Sequence, residues 1–326
     1  MSSLVTLDDI RSAASRIRGV ALRTPVLEVP LPAKATGPPS VAMKCECLQP
    51  MGAFKIRGAC NMIAQLTPQA RDAGVITYSS GNHGQAVAMV AQRFGIRAVI
   101  VMPTTAPSVK VDGVRRYGAE VIFAGTTVLD RRARAEREAA SRGLTMVPPF
   151  DHPWIIAGQG TTGLELLEQR PDLTTVYVPI GGGGLISGIA TAIREMRAMV
   201  RVIGVEPRGA AKMSASLAAG HPVTLDKTSS IADGLLPVRP GDLTFAHVQR
   251  YVDEIVTVDD NAIADAVRWL FRDARLVAEP SGATAVAAVL AGLGASGPRP
   301  AAIISGGNVG ADDFARFLTE SAHALR

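Results

Sequence analysis

From residue 75 onward, short β-branched apolar runs alternate with stretches whose apolar positions recur every three or four residues. "VITYSS" (75–80) gives way to "GQAVAMVAQRFG" (84–95), "RAVIVM" (97–102) to "SVKVDGVRRYG" (108–118), and "AEVIFAG" (119–125) to "DRRARAEREAASR" (130–142). Farther on, "TVYVPI" precedes "LISGIATAIREM", "RVIGVE" precedes "AAKMSASLAAG", "EIVTV" precedes "NAIADAVRWLFRDA", and "AAIIS" precedes a last helix ending near Ala324. The runs predict strands and the periodic stretches predict helices; strand and helix in regular alternation specify parallel sheets covered on both faces. The class is α/β. The Pro-rich piece "VPPFDHP" (147–153) interrupts the alternation and marks a crossing between two lobes. A small lobe at 71–150 and a larger one built from 1–70 together with 151–326 follow, each a twisted, largely parallel sheet flanked by helices.

The densest charged segment, from Asp130, sets Asp130 against Arg134 and Arg134 against Glu138 at i,i+4 spacing, as on a solvated helix face. The apolar run "ATAVAAVLAGLGA" from Ala283 falls short of the roughly 18 residues of a membrane span and reads as a buried helix. The N-terminus alternates charge with apolar residues and has no signal-peptide core. At 326 residues and 47% hydrophobic, the chain is long enough for two cores. Cys45, Cys47 and Cys60 are too few and too close for a disulfide framework, so a reduced, cytoplasmic setting is expected. The net charge of +5 comes with only 4% aromatic residues and no interleaved basic run, which argues against nucleic acid. No histidine pair has ligand spacing, so metal catalysis has no histidine support.

Ligands in open α/β sheets bind beyond the carboxyl ends of strands, so the chemistry is sought in loops that follow strands. Gly181, Gly182, Gly183 and Gly184 stand between a strand and a helix, where backbone N–H groups converge on an anion. The loop lacks the Lys-Ser/Thr ending of a nucleotide-triphosphate loop. A dinucleotide remains the rival ligand, because Glu206 ends the next strand where a ribose-binding acid would sit; G-x-G-x-x-G, however, fails at Ile186 or Ser187. "YSSGNHGQA" (78–86) gathers Ser79, Ser80, Gly81, Asn82 and His83 at a helix N-terminus suited to a carboxylate. Ser305 follows another strand and offers a hydroxyl to a ring nitrogen, and Lys55 sits between glycines in "MGAFKIRGA" (51–59). A phosphate cradle, a carboxylate loop, a hydroxyl and a lysine amine together match the needs of pyridoxal phosphate.

"RTPVL" (23–27), "GAFKIRGA" (52–59), "SSGNHGQA" (79–86), "AGQGT" (157–161), "GGGGLISG" (181–188), "EPSGA" (279–283) and "SGGN" (305–308) resemble, in order, the serine/threonine dehydratase and serine racemase family of fold type II pyridoxal-phosphate enzymes. The resemblance implies that Lys55 forms a Schiff base with the cofactor, Phe54 packs on its ring, Asn82 bonds its 3-hydroxyl, the four glycines hold its phosphate and Ser305 meets its pyridine nitrogen. It also implies that Ser79, Ser80, Gly81 and His83 bind the substrate carboxylate, and that Phe150 lines the side-chain pocket. Lys55 would remove the α-proton, the β-hydroxyl would leave, and a 2-keto acid and ammonia would result from L-threonine, L-serine or a related 3-hydroxy amino acid. Ser80 keeps an amino-acid racemase open as an alternative, since it matches the hydroxyl that in serine racemases works opposite the lysine. Arg131 or Arg132 would instead attract a second substrate carboxylate. Glu206 and Ala210 lie at the cation site of serine racemases, where Lys212 replaces an aspartate; no metal is expected, and the Lys212 ammonium would take the ion's place. The family likeness also implies a homo-oligomer, dimer or tetramer, with no membrane partner. Isoleucine feedback is not expected, because the chain stops near Arg326 without room for a regulatory domain.

Overall fold

The computed structural model describes residues 3–32, 38–79, 81–106, 108–295 and 297–320. Helix α1 (Leu7–Arg16) is followed by β1 (Val26–Pro30), β2 (Ser40–Lys44), α2 (Lys55–Ile63) and α3 (Pro68–Ala73). Next come β3 (Val75–Tyr78), α4 (Asn82–Phe94), β4 (Ala98–Met102), α5 (Ser108–Arg115), β5 (Glu120–Phe123), α6 (Val128–Arg142) and β6 (Thr145–Met146). The chain continues through α7 (Pro153–Gln169), β7 (Thr175–Pro179), α8 (Gly184–Met196), β8 (Arg201–Pro207), α9 (Lys212–Ala219) and α10 (Asp242–Tyr251). It closes with β9 (Glu254–Val258), α11 (Asp260–Arg272), α12 (Pro280–Ala291), β10 (Pro300–Ile303) and α13 (Ala311–Thr319). The end expected for the last helix, near Ala324, lies outside the described residues.

Two sheets form. The first runs β5-β4-β3-β6 and is parallel throughout. The second runs β1-β2-β10-β7-β8-β9 and is parallel except for the antiparallel β1–β2 pair at its edge. The sheets are thus largely parallel, as expected, and the antiparallel edge pair joins strands whose connection is shorter than the roughly dozen residues a parallel crossover needs. Because β2, β10 and β7 are neighbours pointing the same way, their following loops emerge at one edge. Those loops lead to Lys55, Ser305 and the four glycines.

Close helix packing fixes the start of α2. A Cβ on Gly158 of α7 would lie 2.6 Å from the Arg57 carbonyl oxygen, and one on Gly188 of α8 would lie 2.3 Å from the Ile156 carbonyl oxygen, so the backbones meet where side chains would collide. Arg57, wholly buried two residues after Lys55, donates to Glu46 (2.7 and 2.8 Å) and to Glu165 (2.7 and 2.8 Å). Losing either partner of such a buried, fully bonded pair would leave an uncompensated charge, so the network pins the helix in place.

The charged helix differs from expectation at its first pair. Asp130 turns back to Thr127 in a capping box and leaves Arg134 to Glu138 (2.9 Å), while Arg132 pairs with Glu136 (2.8 Å). Capping an orphan N–H at a helix start outweighs a solvent-exposed ion pair. The predicted apolar helix is α12, and no helix among the described residues is long and apolar enough to cross a membrane.

Candidate active site

Lys55 opens α2 and is half-buried, with its ammonium nitrogen 2.6 Å from the Pro149 carbonyl oxygen and 5.2 Å from the centre of the Phe54 ring. Burial lowers its pKa from 10.5 to about 8. Desolvation disfavours the charged form, which is the condition a nucleophilic amine requires. Phe54 donates its backbone N–H to the Ser305 carbonyl oxygen (3.0 Å), and Ala53 bridges Gly306, so the lysine turn and the Ser305 loop are tied together. The Ser305 hydroxyl is buried and makes only a long contact, 3.4 Å, with the Ser281 carbonyl oxygen.

The four glycines are a steric requirement. A Cβ on Gly182 would stand 2.3 Å from the Phe150 ring, one on Gly183 2.8 Å from Thr244 Cβ and one on Gly184 3.0 Å from Phe150 Cβ. Gly183 also has φ of +99°, a conformation that glycine adopts without penalty. The chain thereby turns into the N-terminus of α8, whose first N–H groups lack intrahelical acceptors. Such a concave run of N–H groups at a helix's positive end suits a phosphate. The Thr244 hydroxyl braces the loop by donating to the Gly182 carbonyl oxygen (2.7 Å), and Asp151 caps α10 beneath it through Asp242, Leu243 and Thr244 N–H groups.

Below the loop lies a buried ammonium. Lys212 is fully enclosed and donates to the carbonyl oxygens of Ile180 (3.0 Å), Ala210 (3.0 Å) and Leu235 (2.9 Å), with a Glu206 carboxylate oxygen 3.4 Å away. Three protons meet three carbonyls, and the carboxylate supplies the counter-charge. Burial pulls the Lys212 pKa down and Glu206 opposes that pull. Glu206 is itself spent on α9, accepting from Met213 N (2.9 Å), Ser214 N (2.9 Å) and the Ser214 hydroxyl (2.8 Å). No part of it is exposed to meet a ribose, which removes the main support for a dinucleotide. Among the described residues there is no cluster of three or more His, Cys, Asp or Glu able to hold a metal.

The second loop begins α4. Ser79 Oγ accepts from Gly81 N (3.1 Å), shaping the turn, and Ser80 lies outside the described residues. Asn82 donates through Nδ2 to Glu279 Oε1 (2.6 Å) and accepts at Oδ1 from Asn308 Nδ2 (2.8 Å). His83 is buried, with Nε2 3.0 Å from the Val147 carbonyl oxygen and Nδ1 without a partner. Burial, followed by the nearby Lys55 charge, brings its pKa down from 6.5 to about 3, against the opposing pull of the Val147 bond. The ring is therefore neutral, and since a carbonyl only accepts, its one N–H is spent on Val147. This corrects the expected role of the His83 side chain: Nδ1 offers a lone pair, which cannot bind a carboxylate. Its backbone N–H in the first turn of α4 is the group suited to that task.

Phe150 packs against Gly182 and Gly184, so it walls the glycine loop. Arg131 does not join the cluster. Its buried guanidinium folds back to the Thr126 carbonyl oxygen (3.3 Å) at the start of α6, where the pattern of charges had suggested an outward-facing residue. Two groups near Asn82 went unassigned in the sequence: Glu279, just before α12, and Asn308, beyond β10. Both sit in quoted motifs, but neither has a neighbour in sequence that reveals its partner. Lys110 of α5 is another, paired with Asp233 and 3.7 Å from where a Gly81 Cβ would stand.

A glycine cradle, a desolvated lysine, a buried hydroxyl with one long contact and a bonded asparagine fit a phosphorylated pyridine aldehyde. The family described as "Pyridoxal-phosphate dependent enzyme" matches residues 17–306. The L-threonine ammonia-lyase of Thermotoga maritima is 44% identical over 317 residues, 97% of this chain and 79% of that protein. The biosynthetic L-threonine dehydratase of Escherichia coli is 47% identical over 272 residues, 82% of this chain but 53% of that protein, so the chain spans about half of this relative. The structure of maize serine racemase superposes with a TM-score of 0.90 at 39% identity, covering 96% of this chain and 97% of that one. With the loops and the matched span in agreement, the chain belongs to the pyridoxal-phosphate-dependent enzymes of fold type II.

Proposed function

We propose that this enzyme is a dehydratase that converts L-threonine, L-serine or a related 3-hydroxy amino acid to a 2-keto acid and ammonia. The carrying observation is Lys55: its amine, brought to a pKa of about 8, lies against Phe54 and Pro149 at the edge where the Ser305 and glycine loops emerge. When bound, pyridoxal phosphate supplies an aldehyde that condenses with an amine and a ring that disperses the charge left at the substrate Cα. Gly181, Gly182, Gly183 and Gly184 would hold the phosphate, Asn82 the 3-hydroxyl and Ser305 the ring nitrogen. Ser79 and the first N–H groups of α4 would orient the substrate carboxylate, and Lys55 Nζ, once released, would take the α-proton. Phe150, packed against the glycine loop, would help to exclude water from that side. The Lys212 ammonium would brace the glycine loop from below through Ile180 O.

A racemase reading is carried by Ser80 in the sequence and by the likeness to maize serine racemase. We also read the two sheets as two lobes, residues 71–150 and the remainder, with ligand between them. The three free, buried cysteines favour a reducing cytoplasm, and exposed Phe123 and Leu129 favour a homo-oligomer; light scattering of the purified protein tests the latter. The deciding assay offers 3-hydroxy amino acids to the enzyme and scores keto acid and enantiomer together. Threonine is expected to exceed serine by about tenfold through its methyl contact. Preference for 3-hydroxyaspartate would overturn the threonine assignment, and enantiomer formed without keto acid would replace the dehydratase reading.

A further inference from the structure

Asn82, proposed above to meet the cofactor's 3-hydroxyl, is held from both sides. Its oxygen accepts from Asn308 Nδ2 (2.8 Å), which also donates to the Met51 carbonyl oxygen (2.8 Å), so the donor and acceptor ends of both amides are assigned without ambiguity. Its nitrogen donates to Glu279 Oε1 (2.6 Å). Glu279 is anchored in turn: its N–H donates to the Gly306 carbonyl oxygen (3.1 Å), and its own carbonyl accepts from Gly282 N (2.8 Å) and Ala283 N (3.0 Å) at the start of α12. A Cβ on Gly306 would stand 2.1 Å from Glu279 Oε1, so that glycine makes room for the carboxyl directly beside Ser305. Asn82 begins a helix of the four-stranded sheet, whereas Glu279 caps α12 and Asn308 follows β10 of the other sheet.

We propose that Glu279 is a positioning residue that, opposite Asn308, fixes the Asn82 amide with one N–H left for the cofactor's 3-oxygen. This rests on the pyridoxal-phosphate reading of the site. The charge state of the carboxyl matters, because an anion at 2.6 Å from the amide that serves an anionic 3-oxygen would set two negative charges on one donor. Burial, followed by the nearby Asp233, raises the Glu279 pKa from 4.5 to about 8, while the Asn82 bond and Lys110 pull it back. Glu279 is therefore a neutral acid at pH 7. It orients Asn82 without adding charge. A carboxyl whose folded pKa lies above its unfolded value stabilises the fold fully below pH 4.5, and that stability is lost as pH rises through about 8. Asp233 and Lys110 bound the cluster and are paired with each other.

The test compares Glu279→Gln, a neutral isostere, with Glu279→Ala in the full chain. Dissociation of pyridoxal phosphate is followed by fluorescence, the near-visible absorbance of the bound cofactor is titrated from pH 6 to 9.5, and melting without cofactor is measured over pH 5 to 9. E279Q is expected to hold the cofactor within about threefold of wild type at pH 7, and E279A to lose about tenfold or more, the scale of one deleted buried partner. Wild type is expected to show an absorbance change centred near pH 8 that E279Q lacks, and a fall in melting temperature from pH 5 to 8 that E279Q lacks. An unchanged titration in E279Q, or wild-type cofactor affinity in E279A, overturns the proposal. If wild type takes up no pyridoxal phosphate, the functional reading fails instead, and a pH dependence of melting shared by wild type and E279Q then refutes the neutral-acid role separately.

Discussion

Replacing Lys212 by methionine keeps an unbranched side chain one atom shorter and removes the charge. Three carbonyl oxygens at 2.9–3.0 Å would lose their donor, and the Glu206 carboxylate would lose the cation 3.4 Å away, all inside the fold. Breaking a buried pair from one side costs about 3–5 kcal/mol, most of it the charge left behind. Unfolding 326 residues releases about 0.7 kcal/mol/K at roughly 2.1 cal/mol/K per residue. The melting temperature of Lys212→Met should therefore fall by about 4–7 °C. Because Ile180 directly precedes Gly181, the same change should loosen phosphate binding and raise the dissociation constant of pyridoxal phosphate. Differential scanning fluorimetry and cofactor titration read both. The oxygen cage left in Lys212→Ala is the donor set hard cations prefer, so millimolar magnesium or calcium should restore part of that variant's melting temperature and leave wild type unchanged. Melting of Lys212→Met within 1 °C of wild type would refute the bracing role. Loss of wild-type activity with EDTA, recovered by magnesium, would refute the substitution of ammonium for ion.

Three further outcomes are expected. A Lys55 pKa of about 8 in place of 10.5 leaves roughly 300-fold more free amine at neutral pH, so the rate at which cofactor-free protein captures pyridoxal phosphate should level off above pH 8; a rate still climbing steeply at pH 10 would show an ordinary lysine, and Lys55→Ala should capture none. Gly182→Ala would drive a Cβ to 2.3 Å from the Phe150 ring and should weaken cofactor binding at least tenfold with little loss of helix content by circular dichroism; unaltered affinity would mean that the loop does not seat the phosphate. In Ser80→Ala, racemisation should fall much more than elimination if the hydroxyl is a second acid/base, whereas equal losses would leave it a binding group only.

The strand-helix alternation, the four glycines and the lysine between glycines were legible because each depends on local chemistry: period, backbone freedom and the offset of a loop from a strand end. The family likeness then attached roles to Lys55, Asn82 and Ser305 from short motifs. What only the tertiary structure decided is the pairing of groups far apart in sequence. Lys212 reads equally well as a solvent lysine until β7, β8 and the turn at Leu235 close three carbonyls around it. Glu279 is 197 residues from Asn82, and nothing local indicates that its carboxyl is buried, with its pKa raised by that burial. His83 reads as a donor beside other donors, yet the Val147 carbonyl consumes its N–H. Arg131 belongs to a run of exposed charges, yet helix rotation turns it inward. Local sequence fixes which backbone shapes form, because those energies are short-ranged; the desolvation and partners that set a side chain's charge and bonding arise only when distant segments pack together.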